Sequence, residues 1–304
     1  MPYGAMQIRH IGLFTTDLER HAQFYEDVWG LTPVAASGET VFLRGRSAEP
    51  FLLSLHRGQR RGIHHIAFGM VSRDDVDRAA GALSASGVKI VEAPRSIEEP
   101  GGGYGFRFID PDGRCIELTA ASIGKRDGIP ERNVRPSSIC HVVLNTPDID
   151  RSVDFYTRVL GFRISDWSEH QMVFLRCNSK HHMISFNQAP YASVNHVAYL
   201  VSGVDELMQG VANLRKSGVE PAWGPGRHGP GNNVFCYFKD PLGYVAEYTC
   251  DIDIIADEAA HQPQVWQRTP EAIDRWGLAG HPGPVVREAM AGEPDPGWMT
   301  LTKG

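Results

Sequence analysis

Residues 10–18 read HIGLFTTDL, and the same pattern returns as HVVLNTPDI at residues 141–149, an offset of 131 positions. Three further segments recur at offsets of 131, 131 and 130 positions, namely FYEDVWGL at 24–31 with FYTRVLGF at 155–162, IHHIAF at 63–68 with VNHVAY at 194–199, and FIDPDGRCIE at 108–117 with FKDPLGYVAE at 238–247. An internal repeat that covers this much of the chain indicates that one fold occurs twice.

The composition is that of an ordinary globular protein. Of the 304 residues, 42% are apolar and 22% are charged, which disfavours the disordered and membrane classes. The formal net charge of -6 gives no basic surplus to neutralise phosphates, so we expect no nucleic-acid partner. We also expect no membrane partner, since no apolar run could cross a bilayer and the N-terminus lacks a signal-peptide pattern. The five cysteines lack CxxC spacing, which is typical of reduced thiols and predicts a cytoplasmic protein.

Each half of the repeat divides into two shorter units. In the first unit, residues 7–14 alternate as a strand, Asp17 is a candidate N-cap, and Gly30 ends the helix between them. Further strands are predicted at 41–43 and 51–55 and, in the second unit, at 88–91. The DPDG and DPLG segments at 110–113 and 240–243 are predicted to be hairpin turns. The pattern restarts at Ile63, at Ile139 and at Val194, which gives four strand–helix–strand–strand–strand units.

The sequence therefore predicts an α+β fold with two domains, each of two βαβββ modules that form a curved mixed sheet around a central cavity. The predicted boundaries are an N-terminal domain at 1–124, a linker at 125–136, a C-terminal domain at 137–250 and a tail at 251–304. The linker is rich in Asp, Gly, Pro and Asn, and the regular pattern dissolves after Cys250.

Two histidines and one glutamate occupy corresponding positions in the two halves. The two sets are His10, His65 and Glu117 in the first half, and His141, His196 and Glu247 in the second. A single histidine in a strand is usually a packed or solvated residue. Joint recurrence on strands that face one cavity instead indicates a metal site, because two imidazoles and one carboxylate leave coordination positions open for other ligands.

The repeat resembles the vicinal oxygen chelate superfamily, with the glyoxalase/bleomycin resistance/dioxygenase fold, and its second half resembles the type I extradiol catechol dioxygenases. The resemblance covers roughly residues 6–250. It implies that His141, His196 and Glu247 bind Fe(II), with Mn(II) as the other metal that this ligand set accepts. It also implies that the substrates are a catechol and O2.

Three further residues extend the resemblance beyond the metal ligands. The run KHHMISF at 180–186 resembles the family strand with an acid/base histidine, which would be His182, although His181 stands beside it. The run GPGRHG at 224–229, followed by Tyr237, resembles the family's C-terminal signature, so His228 and Tyr237 would line the substrate and oxygen pocket. A neutral histidine can accept a catechol proton near pH 7, and His and Tyr donors can stabilise charge that develops on reduced oxygen.

The function of the first half is a separate question, because His10, His65 and Glu117 match the three candidate metal ligands of the second half. Phe51 stands at the position of His182 and Arg107 at that of Tyr237, so the acid/base and oxygen-stabilising groups are missing. We therefore predict catalysis in the second half and a structural first half, and leave open whether the first half binds a second metal.

The leading hypothesis is an extradiol ring-cleaving dioxygenase that acts in aromatic-compound degradation. The alternatives are a glyoxalase-like isomerase or lyase on the same scaffold, and a non-catalytic ligand-binding protein. The aromatic tail, with Trp266 and Trp276, either covers the active site or packs in an oligomer contact. We expect a homo-oligomer, and an uncharged catechol, since no arginine pair stands beside Trp276.

Overall fold

A computed structural model describes residues 6–120 and 134–302, which form two mixed β-sheets. The first sheet has eight strands in the order β2-β3-β4-β1-β5-β8-β7-β6. Its strands are β1 (Ile8–Thr15), β2 (Thr32–Ser37), β3 (Thr40–Arg44), β4 (Leu53–Arg57), β5 (Gly62–Gly69), β6 (Ile90–Ser96), β7 (Tyr104–Ile109) and β8 (Cys115–Ala120).

The second sheet repeats this arrangement and adds one strand from the tail. Its order is β14-β15-β16-β13-β9-β12-β11-β10-β17. Its strands are β9 (Ser138–Thr146), β10 (Arg163–Ser168), β11 (Met172–Arg176), β12 (Ile184–Gln188), β13 (Ser193–Leu200), β14 (Trp223–Arg227), β15 (Val234–Lys239), β16 (Val245–Cys250) and β17 (Gln264–Trp266).

Seven α-helices connect or flank the described strands. They are α1 (Leu18–Phe24), α2 (Arg73–Ala85), α3 (Ile149–Asp154), α4 (Val204–Lys216), α5 (Pro270–Ile273), α6 (Pro284–Ala291) and α7 (Pro296–Leu301). The predicted α+β fold of paired βαβββ modules is confirmed. None of the helices in 6–120 and 134–302 is long and apolar enough to cross a membrane. Cytoplasmic location and homo-oligomerisation stay predictions.

The first helix of the N-terminal domain begins and ends at the predicted residues, and the equivalent helix of the second domain begins in the same way. The Asp17 carboxylate accepts the backbone N–H of Arg20, and the Asp148 carboxylate accepts that of Arg151. Each helix continues as a π-helical turn, at Tyr25–Trp29 and at 155–159. Gly30 ends the first of these at φ +92°, a conformation that favours glycine.

Alternation along the central strands separates the core from the cavity. On β9, Val142 and Leu144 belong to the hydrophobic core, whereas His141 and Val143 face the cavity of the second sheet. The core is one continuous cluster that includes apolar residues of both sheets. Apolar side chains of both sheets therefore share this core, whereas the cavity-lining side chains of β9 lie on the opposite face of its sheet.

Crossed contacts join the two domains through repeat-equivalent residues. The Tyr25 hydroxyl donates to Asp240 Oδ2 at 3.3 Å, and the Tyr156 hydroxyl donates to Asp110 Oδ2 at 3.2 Å. Each aspartate also accepts backbone N–H groups within its own hairpin turn, as the sequence predicts for Asp-Pro turns. His21 Nε2 donates to the same Asp240 oxygen at 2.7 Å. The helix of each domain therefore binds the last turn of the other.

The strand predicted at 51–55 lies at Leu53–Arg57, and two further details differ from the sequence prediction. Strand β2 is additional, and the strand predicted at 88–91 begins two residues later and continues to Ser96 as β6. Both are edge strands of the first sheet, so neither has the apolar periodicity of a covered strand. Residues 125–133 of the predicted linker lie outside the described residues. At its end, the carbonyl of Pro136 accepts the N–H of Arg46 at 2.9 Å.

Candidate metal centre

Three adjacent strands of the second sheet bring His141, His196 and Glu247 together. Ala198 on β13 is paired with His141 on β9 at one side and with Glu247 on β16 at the other. His196 lies two residues before Ala198 and therefore projects from the same face of the sheet. The register of the three strands thus brings together three side chains that are far apart in sequence.

The ligand atoms are close enough to share one ion. Glu247 Oε2 lies 3.1 Å from His141 Nε2 and 3.3 Å from His196 Nε2, and the two Nε2 atoms are 3.4 Å apart. Metal–nitrogen and metal–oxygen bonds of about 2.1 Å at right angles would separate neighbouring ligand atoms by about 3 Å. All three side chains are at least 95% buried. The donor set and spacing therefore fit a divalent iron or manganese ion.

The electrostatics of the triad already favour a cation. Burial acts to lower the pKa of His141, but the facing Glu247 carboxylate raises that pKa to about 9. His141 in turn holds the pKa of Glu247 well below its usual range against the effect of burial. A positive charge between these groups is therefore stabilised, and a divalent ion there would replace the proton.

Two amides orient the ligands. Asn195 Oδ1 lies 2.8 Å from His196 Nδ1 and accepts its proton, which leaves the lone pair of Nε2 for a metal. Asn233 Nδ2 donates to Glu247 Oε1 at 3.3 Å and to Thr249 Oγ1 at 2.9 Å. Glu247 therefore turns its other oxygen, Oε2, toward the histidines.

His182 lies on the cavity wall, with its ring centroid 4.4 Å from that of His141. His181 instead donates from Nε2 to Asp166 Oδ2 at 3.1 Å, and its Nδ1 lies 3.0 Å from His182 Nδ1. Because a carboxylate only accepts, His181 Nε2 carries a proton; in the tautomer that leaves Nδ1 without one, His182 Nδ1–H donates to that Nδ1. The remaining nitrogen of His182, Nε2, is then an acceptor. Burial, followed by nearby His141, lowers the pKa of His182 well below its usual value, so the ring is neutral.

His228 and Tyr237 form a hydrogen-bonded pair on another side of the cavity. His228 Nδ1 donates to the carbonyl of Ile273 at 2.9 Å, so its Nε2 accepts the Tyr237 hydroxyl at 3.0 Å. Burial lowers the pKa of His228 to about 4, and burial together with Glu247 raises that of Tyr237 well above its usual value. Both groups are therefore neutral near pH 7.

The cavity between these groups has a volume of about 170 Å³ and is closed partly by the tail. The tail residues that line it are Arg268, Ala272, Ile273, Pro282 and Met290. The tail aromatics lie elsewhere. Trp266 Nε1 donates to Asp166 at 2.7 Å, and Trp276 packs under the Arg227 guanidinium. The tail thus contributes aliphatic residues and one arginine to the cavity wall, and neither tryptophan lies there.

Comparison with known proteins identifies the family. The model of the glyoxalase/bleomycin resistance protein/dioxygenase superfamily matches residues 7–118 and 138–248. The chain belongs to this superfamily. It is 31% identical over 269 residues to metapyrocatechase 2 of Cupriavidus necator, with 82% of each chain covered. It is 29% identical to the manganese-dependent 2,3-dihydroxybiphenyl 1,2-dioxygenase of Geobacillus genomosp. 3, with 76% of this chain and 80% of that relative covered.

Among solved structures, the Mn(II)-bound glyoxalase from Novosphingobium aromaticivorans is 40% identical. It superimposes with a TM-score of 0.85 over 92% of this chain and 93% of that one. Relatives within the superfamily include both manganese-dependent and iron-dependent enzymes. This metal dependence agrees with the His141, His196 and Glu247 donor set.

The first domain repeats the strand arrangement of the triad in the second domain, with different surroundings. Ala67 is paired with both His10 and Glu117, as Ala198 is with their counterparts, and His10 Nε2 lies 2.9 Å from His65 Nε2. Arg107, however, donates from Nε to Glu117 Oε2 at 2.8 Å. The triad therefore assembles in both domains, but in the first domain Arg107 already forms a hydrogen bond with one carboxylate oxygen of Glu117.

Sequence reasoning missed the groups that orient the site. Asp166 and Asn233 belong to none of the repeated segments, and Arg268 lies in a tail without periodicity. Asn195 falls within the VNHVAY repeat but was not predicted to support the site. A polar residue beside a predicted ligand, as Asn195 stands beside His196, is the one local signal that could have indicated a supporting role.

Proposed function

We propose that the protein is an extradiol ring-cleaving dioxygenase that inserts both atoms of O2 into a catecholic ring next to the diol. The observation that carries the proposal is the convergence of the His141, His196 and Glu247 set with His182, His228 and Tyr237 around one cavity. The named dioxygenase relatives support the same reaction class. The product would be a ring-opened semialdehyde of the hydroxymuconic type.

A divalent iron or manganese ion held by the triad would bring catechol and O2 together and pass electron density between them. His182 is the base that we assign to the catechol. Its Nε2 is the unprotonated nitrogen, and a catechol hydroxyl in the cavity would transfer its proton there. The charge-assisted hydrogen bond between His181 and Asp166 holds the ring in that tautomer.

His228 and Tyr237 act on the oxygen side. The Tyr237 O–H supplies the one proton between the two groups, because His228 Nε2 carries no proton and His228 Nδ1–H donates to a backbone carbonyl. This proton can turn toward negative charge that develops on oxygen, while His228 remains able to take up another. Both side chains are fixed by neighbours, so little reorganisation is needed.

The cavity wall determines which catechols enter. Val143, Met172, Phe174 and Trp223 give it an apolar surface, and the tail excludes water from an oxygen-reactive site. An uncharged, aryl- or alkyl-substituted catechol remains our expectation. Arg268 is a cation on the same wall that the sequence did not reveal, so carboxylated catechols belong in the substrate panel.

A glyoxalase-like isomerase or lyase is the second candidate, because the 40% identical structure is described as a glyoxalase. Isomerisation requires the metal ligands but has no use for groups that stabilise reduced oxygen. The presence of His182, His228 and Tyr237 beside the triad therefore favours the dioxygenase.

Oxygen uptake separates the two candidates. Protein loaded anaerobically with Fe(II), and separately with Mn(II), is mixed with a panel of alkyl, aryl and carboxylated catechols. Stoichiometric O2 consumption with a yellow product supports extradiol cleavage. Absence of uptake with every catechol at full metal occupancy refutes it, and turnover of a glutathione hemithioacetal would then support the glyoxalase-like reaction.

A further inference from the structure

The first domain gathers four potential metal ligands, one more than the repeat predicts. Besides His10, His65 and Glu117, the side chain of Glu99 reaches the cluster, and the ligand atoms of all four lie within 4.8 Å of one another. His10 Nε2 is 2.9 Å from His65 Nε2, 3.9 Å from Glu99 Oε2 and 4.0 Å from Glu117 Oε1. The second domain has no glutamate at the equivalent place.

Matching hydrogen bonds identify that equivalent place. The N–H of Gly102 donates to the carbonyl of Glu99 at 2.9 Å, and the N–H of Asn232 donates to the carbonyl of Gly229 at 3.2 Å. Glu99 therefore occupies the position of Gly229 in the repeat. The first domain therefore has a carboxylate at the point where, in the second domain, a glycine packs against Ala272 and Trp266 of the tail.

Arg107 does not satisfy these carboxylates completely. Its Nε donates to Glu117 Oε2 and its Nη2 to Glu99 Oε1, both at 2.8 Å, so it occupies one oxygen of each. The other two oxygens, Glu117 Oε1 and Glu99 Oε2, are buried and receive no hydrogen bond from any described residue. Glu117 as a whole is only 2% exposed. A buried carboxylate oxygen without a donor is costly, and both such atoms lie about 4 Å from the same imidazole nitrogen.

We propose that His10, His65, Glu99 and Glu117 bind a second divalent metal ion. Two imidazole nitrogens and two carboxylate oxygens form a four-donor set of the kind that Zn(II) accepts in closed sites, and Mn(II) accepts the same atoms. Bound between them, the ion supplies the partner that the two carboxylate oxygens lack, while Arg107 keeps the opposite oxygens in place.

The surroundings make this second site structural. The void beside His10, Glu99 and Glu117 has a volume of about 10 Å³, roughly the room of one water molecule. Phe51 packs against the His10 ring at 4.2 Å between centroids, at the position that His182 occupies in the second domain. A hollow of about 510 Å³ also borders Glu99, Arg107 and Glu117. Because Phe51 and Arg107 stand where the second domain has its acid/base histidine and its tyrosine, an ion there would serve to link strands β1, β5 and β8 to the loop before β7.

The test measures metal stoichiometry on the full-length protein, independently of activity. Metal-free protein is reconstituted with Zn(II) and, separately, with Mn(II), and bound metal is counted by mass spectrometry after gel filtration. Wild type should hold two ions per chain. The double variant Glu99→Gln/Glu117→Gln should hold one and keep its turnover with catechol. The matched control is Glu92→Gln, because Glu92 contacts Arg107 at 3.7 Å but supplies no ligand atom; it should hold two.

A crystal of the Zn(II)-loaded wild type gives a readout that does not depend on any variant. Anomalous scattering at the zinc edge should show a peak between His10 Nε2 and the two carboxylates, in addition to the peak in the second domain. One ion per wild-type chain, two ions in the double variant, or no anomalous peak in the first domain would overturn the proposal. Arg107 would then be the only cation that the first triad binds. Failure of catechol cleavage would leave these results unchanged, so the two proposals fail separately.

Discussion

Replacement of Asp166 by Asn tests how the His182 ring is held for catalysis. Asp166 Oδ2 accepts the N–H groups of His181 and Trp266, and Oδ1 accepts the backbone N–H of Gln264 at 2.8 Å. An asparagine cannot accept at both atoms. Its amide group either faces the Gln264 N–H or faces His181, and in the second case His181 Nε2 becomes an acceptor. His181 Nδ1–H then donates to His182, and the proton of His182 moves to Nε2, the nitrogen that should accept from substrate.

The expected loss follows from the hydrogen bond that selects the tautomer. A hydrogen bond to a charged group contributes about 1.5–3 kcal/mol. At about 1.4 kcal/mol for each factor of ten, the loss of this preference should lower kcat by about 10- to 150-fold. KM should change little, because the metal ligands and the apolar cavity wall are untouched.

The assay compares kcat and KM for oxygen uptake in wild type, Asp166→Asn and Trp266→Phe, each with its metal content determined. Trp266→Phe is the matched control. It removes one donor from the same Asp166 oxygen but preserves the carboxylate charge and the tautomer of His181. Its kcat should stay near that of wild type. An unchanged kcat in Asp166→Asn at full metal occupancy would refute the tautomer argument. Equal losses in both variants would show that Asp166 serves only to anchor the tail.

Three further outcomes are expected. Glu247→Gln should abolish turnover and lower metal content in the second domain, because the charge that attracts the cation is gone; unchanged metal binding in mass spectrometry would contradict this. Tyr237→Phe should lower kcat on the order of 100-fold, as expected for one donor to developing charge, with metal content unchanged. Arg176 donates hydrogen bonds to Glu258 and thereby lowers the pKa of that carboxyl from 4.5 to about 2. This ion pair therefore stabilises the fold above pH 4.5, and its contribution is lost as the pH falls toward 2. Urea unfolding of wild type and Glu258→Gln should therefore differ at pH 6 and converge near pH 2.

The fold was predictable because the same signals occur twice. His10 and His141 lie on equivalent strands, and Asp17 and Asp148 cap equivalent helices, so chance matches were improbable. Strand β2 was missed because its sequence, TPVAAS, contains a proline and small residues and forms an exposed sheet edge. At such an edge, pairing with a neighbouring strand and not burial determines the structure.

Some residues of the candidate site could likewise be predicted from the sequence, and others could not. His141, His196 and Glu247 could be predicted because regular strands fix which face each side chain takes. The choice between His181 and His182 could not, since it depends on Asp166, fifteen residues earlier on an adjacent part of the sheet. Glu99 and Arg268 lie on irregular segments, where side-chain direction follows from tertiary packing and has no periodic signal in the sequence.

The reciprocal contacts of Tyr25 with Asp240 and of Tyr156 with Asp110 give the single chain the symmetry of a homodimer. Two identical subunits that met through this surface would each donate a tyrosine to the aspartate of the other. Fusion of two such copies would preserve the shared interface while allowing the sequences of the two metal-binding faces to diverge. One face could then take up an arginine and a phenylalanine while the other kept the groups that act on substrate, so that stability and chemistry were divided between the halves of one molecule.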